Sequence, residues 1–379
     1  MMKTAMPDTM SLDPNRRSRV SLFKPAALIP LMLLLAACVT PPATAPTEVA
    51  SPPARLTLAP TIAAPPAGDP AKQQALRALI NLQDRLYRVA APLLVNGTDL
   101  CTGNARKLLG FSAKNKYSFP DEFIEVAQKT LDFDDRLRIT SVLAGSGAAA
   151  AGLQLGDTLV AIADKPIPQG DNAERQVTRI LGPLITPRTK ALKLTVNRNG
   201  ANLSVNVPLT VACAFGIELG NADHVNAYGD GRRVLVTRGM MAFAQTDDQL
   251  AYVLAKELAH NALSHASKQK MNATMGGVID NLIRMKPDMS AMAGTAGIKP
   301  LSREFDIAAD NLSLYFLVRA GYDPEGAIAF WQRLSDLYPI NVTNGYTAIH
   351  PSTAYRLIAM EKNLAILRSK QAADKPLVP

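Results

Sequence analysis

The chain has 379 residues, 47% of them hydrophobic and 19% charged, with a formal net charge of +9. That length exceeds one ordinary domain, and the apolar content suffices for real cores, so a wholly disordered or low-complexity chain is excluded. Five basic and two acidic residues fall in the first 37 positions. No Lys/Arg run with interleaved aromatics follows them, which argues against nucleic acid as a partner.

The amino terminus reads as an address. Arg16, Arg17, Arg19 and Lys24 precede the apolar run ALIPLMLLLAA, which stops at Cys38. The run is too short to span a membrane. Leu35-Ala36-Ala37-Cys38 resembles the bacterial lipobox, which implies a lipidated Cys38 and a membrane anchor; the alternative is an ordinary signal peptide with an incidental cysteine. Val39 after the cysteine points to the outer membrane by the same resemblance. Residues 38–70, rich in Pro, Ala and Thr, form a tether that cannot bury a core. With Cys38 set aside, Cys101 and Cys213 are an even pair in an oxidising compartment and read as a disulfide, the alternative being two buried thiols.

From Ala71 to Leu94, apolar Leu76, Leu79, Ile80, Leu86, Val89 and Leu93 recur at helical spacing among polar residues, and Asn96-Gly97 ends the pattern. The spacing predicts an amphipathic helix, the main part of a connector over 71–106. Residues 107–213 read as a beta-rich module. A Gly-Ser turn leads into Ala148-Ala149-Ala150-Ala151-Gly152-Leu153-Gln154-Leu155-Gly156-Asp157 and then TLVAIAD. Later strands ALKLTVNR and LSVNVPLTV flank Asn199-Gly200, a hairpin signal. This order resembles PDZ domains. The resemblance implies a groove that adds an extended peptide as a strand, with Leu109, Gly110 and Phe111 in the carboxylate-binding loop. A helix-like insert, DEFIEVAQKTL, leaves open whether that groove is blocked.

From Val225 the text is VNAYGDGRRVLVTRGMMAFAQTDDQLAYVLAKELAHNALSH. Thr246 to Gln249 forms a capping box with acids at the positive end of a helix. Ser302 to Asp310, Ala320-Gly321-Tyr322-Asp323-Pro324, and His350-Pro351 with Thr353 and Arg356 follow in order. Together these segments resemble the HtpX-like and prenyl-protein-protease-like zinc metallopeptidases of family M48. The resemblance covers Val225 to the end and places a mostly helical gluzincin-type domain over 214–379.

The family's chemistry needs two histidines one helical turn apart, a carboxylate from a second helix, and a glutamate that takes a proton from water. By position the resemblance makes Glu257 the base, His260 the second zinc ligand, Asp306 the third, and Asp310 a partner that orients a ligand. Arg356, or Tyr355, stands where an oxyanion would be stabilised. Asn226 and Ala227 begin a strand on which substrate would pair. The first ligand's place holds Lys256. A lysine ligates metal only as a neutral amine, and its reference pKa is about 10.4. Asp306 replaces the family's glutamate and would set its carboxylate back by roughly 1.5 Å.

Among the remaining histidines, His350 is the candidate replacement ligand. His265, five residues past His260, is expected off their shared face, and His224 is expected at the surface. Met271, Met275, Met285, Met289 and Met292 are expected to fill irregular core space. The sequence therefore predicts a multidomain α+β envelope lipoprotein facing the periplasm, with a PDZ-like module and a metallopeptidase domain. Its partners would be extended or unfolded envelope polypeptides. Two functions stay open: a zinc endopeptidase with an altered metal shell, or an inactive pseudopeptidase that binds polypeptide.

Overall fold

The computed structural model describes residues 70–290, 292, 298–339, 346–350 and 353–379. The leader, nearly all of the tether and Cys38 lie outside the described residues, as do Pro351 and Ser352. Helix α1 (Pro70–Asn96) is followed by strands β1 (Ala105–Leu108) and β2 (Phe111–Lys114), helix α2 (Asp121–Leu131) and β3 (Arg138–Val142). Helix α3 (Gly147–Ala150), β4 (Thr158–Ile162), β5 (Lys165–Pro166), α4 (Ala173–Leu181), β6 (Ala191–Arg198), β7 (Ala201–Pro208) and β8 (Thr210–Cys213) complete the beta-rich part.

Strands β9 (Gly216–Gly220), β10 (Ala227–Gly229) and β11 (Arg233–Thr237) then lead into helices α5 (Arg238–Phe243), α6 (Asp247–Ala262), α7 (His265–Lys268) and α8 (Asn272–Leu282). The chain ends in α9 (Arg303–Ala320), α10 (Ala327–Leu337), α11 (Tyr346–Ile349) and α12 (Thr353–Ala372). Strands concentrate before position 240 and helices after it, an α+β organisation. No helix of the described residues is long and apolar enough to cross a membrane.

The beta-rich part is entered through β1 and left through β8, and these two strands pair antiparallel from Ala105↔Cys213 to Leu108↔Thr210. A disulfide joins Cys101 to Cys213 at the base of this stalk. Beyond it the sheet runs β2-β3-β4-β6-β7, with β5 paired to β4. Ile139, Leu159, Ile162, Leu194 and Val196 pack under Ala148 of α3 and Ala173 and Val177 of α4. Between β6 and β7, Asn199 and Gly200 both take positive φ, 51° and 85°. That pair of angles suits the twist of a two-residue hairpin. Insert α2 packs through Phe123, Val126 and Ala127 onto Leu76 of α1.

Helix α6 is the centre of the second half. Every residue from Leu250 to Asn261 is buried, so this helix needs no polar face. Strands β10, β11 and β9 cover one side in that order, β11 antiparallel to β10 and parallel to β9. Helix α1 belongs to this core too. Its Leu86, Val89 and Leu93 pack with Leu254 of α6 and Leu314 of α9. Arg85 of α1 donates to the carbonyls of Ala244 and Thr246, both at 2.7 Å, and to Asp247 at 3.1 Å. The helix read as a connector is thus a structural wall of the helical body.

Candidate active site

Four elements bring the site together. Thr246 caps α6 by accepting from Gln249 N–H at 3.2 Å, and α6 then presents Lys256, Glu257 and His260. Ser302 caps α9 by accepting from Phe305 N–H, and α9 presents Asp306 and Asp310 one turn apart. Helix α11 and the residue after it supply Tyr346 and His350, and α12 supplies Arg356. All eight of these side chains are buried, at most 5% exposed.

Lys256 Nζ donates to Asp310 Oδ1 at 2.7 Å and lies 3.1 Å from Asp306 Oδ1. Arg356 donates to both Asp310 oxygens, at 2.7 and 2.9 Å. Asp306 Oδ1 also receives His350 Nδ1 at 2.6 Å. His260 Nε2 stands 3.4 Å from the same oxygen, and neither it nor Asp306 Oδ2 has a hydrogen-bond partner among the described residues. Tyr346 donates its hydroxyl to Glu257 Oε1 at 2.8 Å, and His350 Nε2 lies 3.4 Å from that atom. Trp331, the only tryptophan of the chain, stacks on Tyr346, which stacks on His350. Lys256 Nζ lies 5.6 Å from the Trp331 ring centre.

These contacts set the charges. Burial pushes the Asp310 carboxyl up, but Arg356 and Lys256 outweigh it and hold it below its ordinary range. Burial likewise opposes ionisation of Asp306, and Lys256 and His350 overcome it, far below the usual carboxylate range. For Glu257, burial is offset by the hydrogen bond and charge of His350, and the net direction is down. Burial pushes His260 down and takes His265 down to about 3.

The sequence profile of Peptidase family M48 matches residues 196–364. Those residues are an M48 peptidase domain. Residues of this chain are 26% identical over 189 positions to the beta-barrel assembly-enhancing protease of Yersinia pestis, covering 46% of this chain and 38% of that protein. The protein of that name from Escherichia coli O157:H7 is 25% identical over 225 positions, 55% and 44% of the two chains. Mitochondrial metalloendopeptidase OMA1 of Schizosaccharomyces pombe is 25% identical over 138 positions, 35% and 41%. The chain therefore spans less than half the length of each of these relatives.

M48 peptidases are zinc enzymes. His260, Asp306 and His350 place ligand atoms within 4.8 Å of one another. Two facts oppose a catalytic zinc. The ammonium of Lys256 is directed at both Asp306 and Asp310, so the carboxylate that would meet the metal already holds a cation at 3.1 Å. His350 Nδ1 and Asp306 Oδ1 at 2.6 Å form a hydrogen bond, closer than two ligands of a tetrahedral ion with bonds of about 2.0–2.1 Å can stand. The residues as arranged do not fit the family's zinc.

The other expected site residues have specific positions. Arg356 is a structural anchor here: Nε and Nη2 donate to Asp310 and Nη1 reaches the His350 carbonyl at 3.4 Å, so the guanidinium is committed away from an oxyanion. Tyr355 is exposed. Asp310 orients the two cations, Lys256 and Arg356. His265 is a correction to the sequence reading. It turns back towards the site, its Nδ1 2.9 Å from His260 Nδ1, because its ring stacks flat on Phe305 of α9. His224 is half-buried and pairs with the Tyr228 hydroxyl at 3.0 Å.

Asn226 and Ala227 are buried in this conformation. Met271, Met275 and Ile279 pack with Tyr228 beside them, and a cavity of about 20 Å³ lies next to Glu257 and His260. Met292 joins the same cluster, Met285 packs against the α1–α2 cluster, and Met289 is exposed at 47%. Sequence reasoning missed Tyr346 and Trp331. The helical spacing from Tyr346 to His350 was the available signal for the first.

Proposed function

We propose that this protein binds extended or unfolded polypeptides of the bacterial cell envelope, using an M48 frame in which zinc-dependent hydrolysis is lost. In this reading Cys38 is lipidated and holds the protein at the outer membrane, facing the periplasm. Lys256 carries the proposal. A buried ammonium in the place of the first ligand, paired to two carboxylates, supplies the positive charge that a metal would supply and repels a second cation.

The polypeptide-binding half rests on the PDZ-like module. Strand β2 lies at the edge of its sheet, where an extended chain can add a strand. Phe111 and Ala113 of β2 pack with Val177 and Leu181 of α4 around one core. Gly110 has φ +86°, and a side chain there would lie 2.5 Å from Ser146 Cβ. Insert α2 is occupied with α1, which favours an open groove. The burial of Asn226 and Ala227 directs binding to this module before the peptidase cleft.

One observation favours a second reading, peptide-bond hydrolysis with a rearranged shell of His260, Asp306 and His350. His260 Nε2 and Asp306 Oδ2 are buried without hydrogen-bond partners among the described residues. In that reading Glu257 is the base.

A fluorescently labelled, permanently unfolded polypeptide such as carboxymethylated α-lactalbumin separates the two. Saturable binding seen by anisotropy, with the polypeptide intact after incubation with added zinc, is the expected result. Zinc-dependent cleavage that disappears in Glu257→Gln would sink the proposal.

A further inference from the structure

Strand β7 is the edge of the beta-rich sheet opposite to β2. Among the described residues its one neighbouring strand is β6, paired without a register shift from Arg198↔Ala201 to Ala191↔Pro208. Its text, ANLSVNVP, holds no charged residue, and Ala201, Asn202, Leu203, Ser204 and Asn206 are exposed. Sheet edges are usually blunted against pairing with another chain by short length, lysine, proline or a bulge. Until Pro208, β7 has none of these. It is a long, regular, uncharged edge.

The turn before β7 fixes which of its backbone groups are free. Asn199-Gly200 makes Arg198 and Ala201 a hydrogen-bonded pair, and such pairs alternate from there. Leu209 N–H on the Lys190 carbonyl, at 2.8 Å, keeps the same alternation. Ala201, Leu203, Val205 and Val207 therefore use their backbone groups on β6, while Asn202, Ser204 and Asn206 aim theirs off the sheet. Beyond them the edge closes. Pro208 has no N–H, and a side chain at Gly147 of α3 would stand 1.9 Å from the Pro208 carbonyl. The open stretch is centred on Ser204, and its text, Asn-Leu-Ser-Val-Asn, keeps the same residue classes in both directions.

We propose that β7 pairs antiparallel with β7 of a second copy of this chain, about a twofold axis at Ser204. Asn202 then faces Asn206, Leu203 faces Val205, and Ser204 faces its own image. The three residues with outward backbone groups fall in hydrogen-bonded pairs in this register, giving about six hydrogen bonds. Gly200 of the second copy, without a side chain, comes opposite Pro208, where α3 narrows the space. No charge meets its own image, and Leu203, 38% exposed in one copy, gains Val205 of the other as a cross-strand neighbour. A twofold interface uses the same patch on both copies, which this strand supplies by itself. The pairing joins β2-β3-β4-β6-β7 of each copy into one sheet with β2 at both ends. It leaves both proposed polypeptide-binding edges free and is independent of that reading.

Disulfide trapping in the full-length protein tests both the partner and the register. In the proposed pair the two Ser204 Cα atoms stand ~5.5 Å apart, within the reach of a disulfide. Ser204→Cys should give a covalent dimer under mild oxidant, well above the parent, whose Cys38 sets the background. Asn202→Cys mixed with Asn206→Cys should do the same. Either alone should stay at the parent level, since each lies roughly 14 Å from its own image. Sedimentation equilibrium in density-matched detergent gives the second reading. The parent should dimerise as its concentration rises, and Ser204→Lys, which sets like charges face to face, should weaken the dimer by at least about tenfold. Ile358→Lys, 66% exposed on α12, should leave it unchanged. Ser204 is exposed, so its variants should fold, which circular dichroism checks. A parent that stays monomeric, with no excess Ser204→Cys dimer, overturns the inference. So does a dimer indifferent to Ser204→Lys, or Asn202→Cys trapping as readily alone as in the mixture. Each of these outcomes leaves the proposed function standing.

Discussion

Lys256 Nζ lies 2.7 Å from Asp310 Oδ1 and 3.1 Å from Asp306 Oδ1, with none of the three side chains more than 1% exposed. The ammonium joins α6 to two successive turns of α9, and Arg356 adds α12 through Asp310. Removing one partner of a buried ion pair strands the others and costs about 3–5 kcal/mol. Lys256→Met, which keeps the length and removes the charge, should therefore lower the melting temperature by roughly 10 °C, read by circular dichroism. An unchanged melting temperature would show that the pair contributes nothing.

The stalk formed by β1 and β8 gives a separate stability test. The Cys101–Cys213 bond spans 112 residues, a loop for which the chain-entropy account gives roughly 4–5 kcal/mol. A Cys101→Ala, Cys213→Ala double variant should melt well below the parent. Adding reductant should bring the parent to the same value and leave the variant where it was. A parent that melts identically with and without reductant contradicts this.

Asp157 should set an acid limit on the beta-rich part. Burial pushes its carboxyl up, but Arg198, with donors at 2.7 Å to both oxygens, and the Gln154 N–H hold it below the usual value. A group with a depressed folded pKa contributes stability that is complete above its unfolded value, about 3.9, and is lost as the pH falls through the folded one. Asp157→Asn should be destabilised at pH 7. Its melting temperature should converge with that of the parent as the solution is acidified below pH 4. Parallel curves down to pH 2 would remove Asp157 from the account.

Gly229 should tolerate no side chain. A Cβ there would sit 2.8 Å from Asn261 Oδ1 and 3.3 Å from Glu257 Oε2, against a helix that is buried along its whole middle. Gly229→Ala should cost about 1–3 kcal/mol as an overpacked core position, measured by urea unfolding. A midpoint within error of the parent would mean that β10 can lift away from α6 freely.

Local rules read well from this sequence. Thr246 announces its helix because a cap and the first turn lie within four residues. Asn199-Gly200 declares its hairpin because two positive φ angles are needed side by side. The departure at Lys256 was legible for the same reason, since ligand spacing on a helix is a local property. What pairs with Lys256 depends on how α6 lies against α9 and α12, which no spacing along one helix reveals. The same limit hid the turn of His265 towards His260, a consequence of stacking on Phe305, and the commitment of Arg356 to Asp310. The apolar face of helix α1 is visible in the sequence, but the surfaces it covers, α6, α9 and β9, are more than a hundred residues away.

Under the proposed function the Lys256 ammonium takes the place of the metal. The most direct test is the zinc content of the purified full-length protein, by elemental analysis after dialysis against limiting zinc. The account predicts no stoichiometric zinc in the parent and the appearance of about one zinc per chain in Lys256→His, where the family's ligand pair is restored. About one zinc per chain in the parent, lost in Asp306→Ala or His350→Ala, would contradict it.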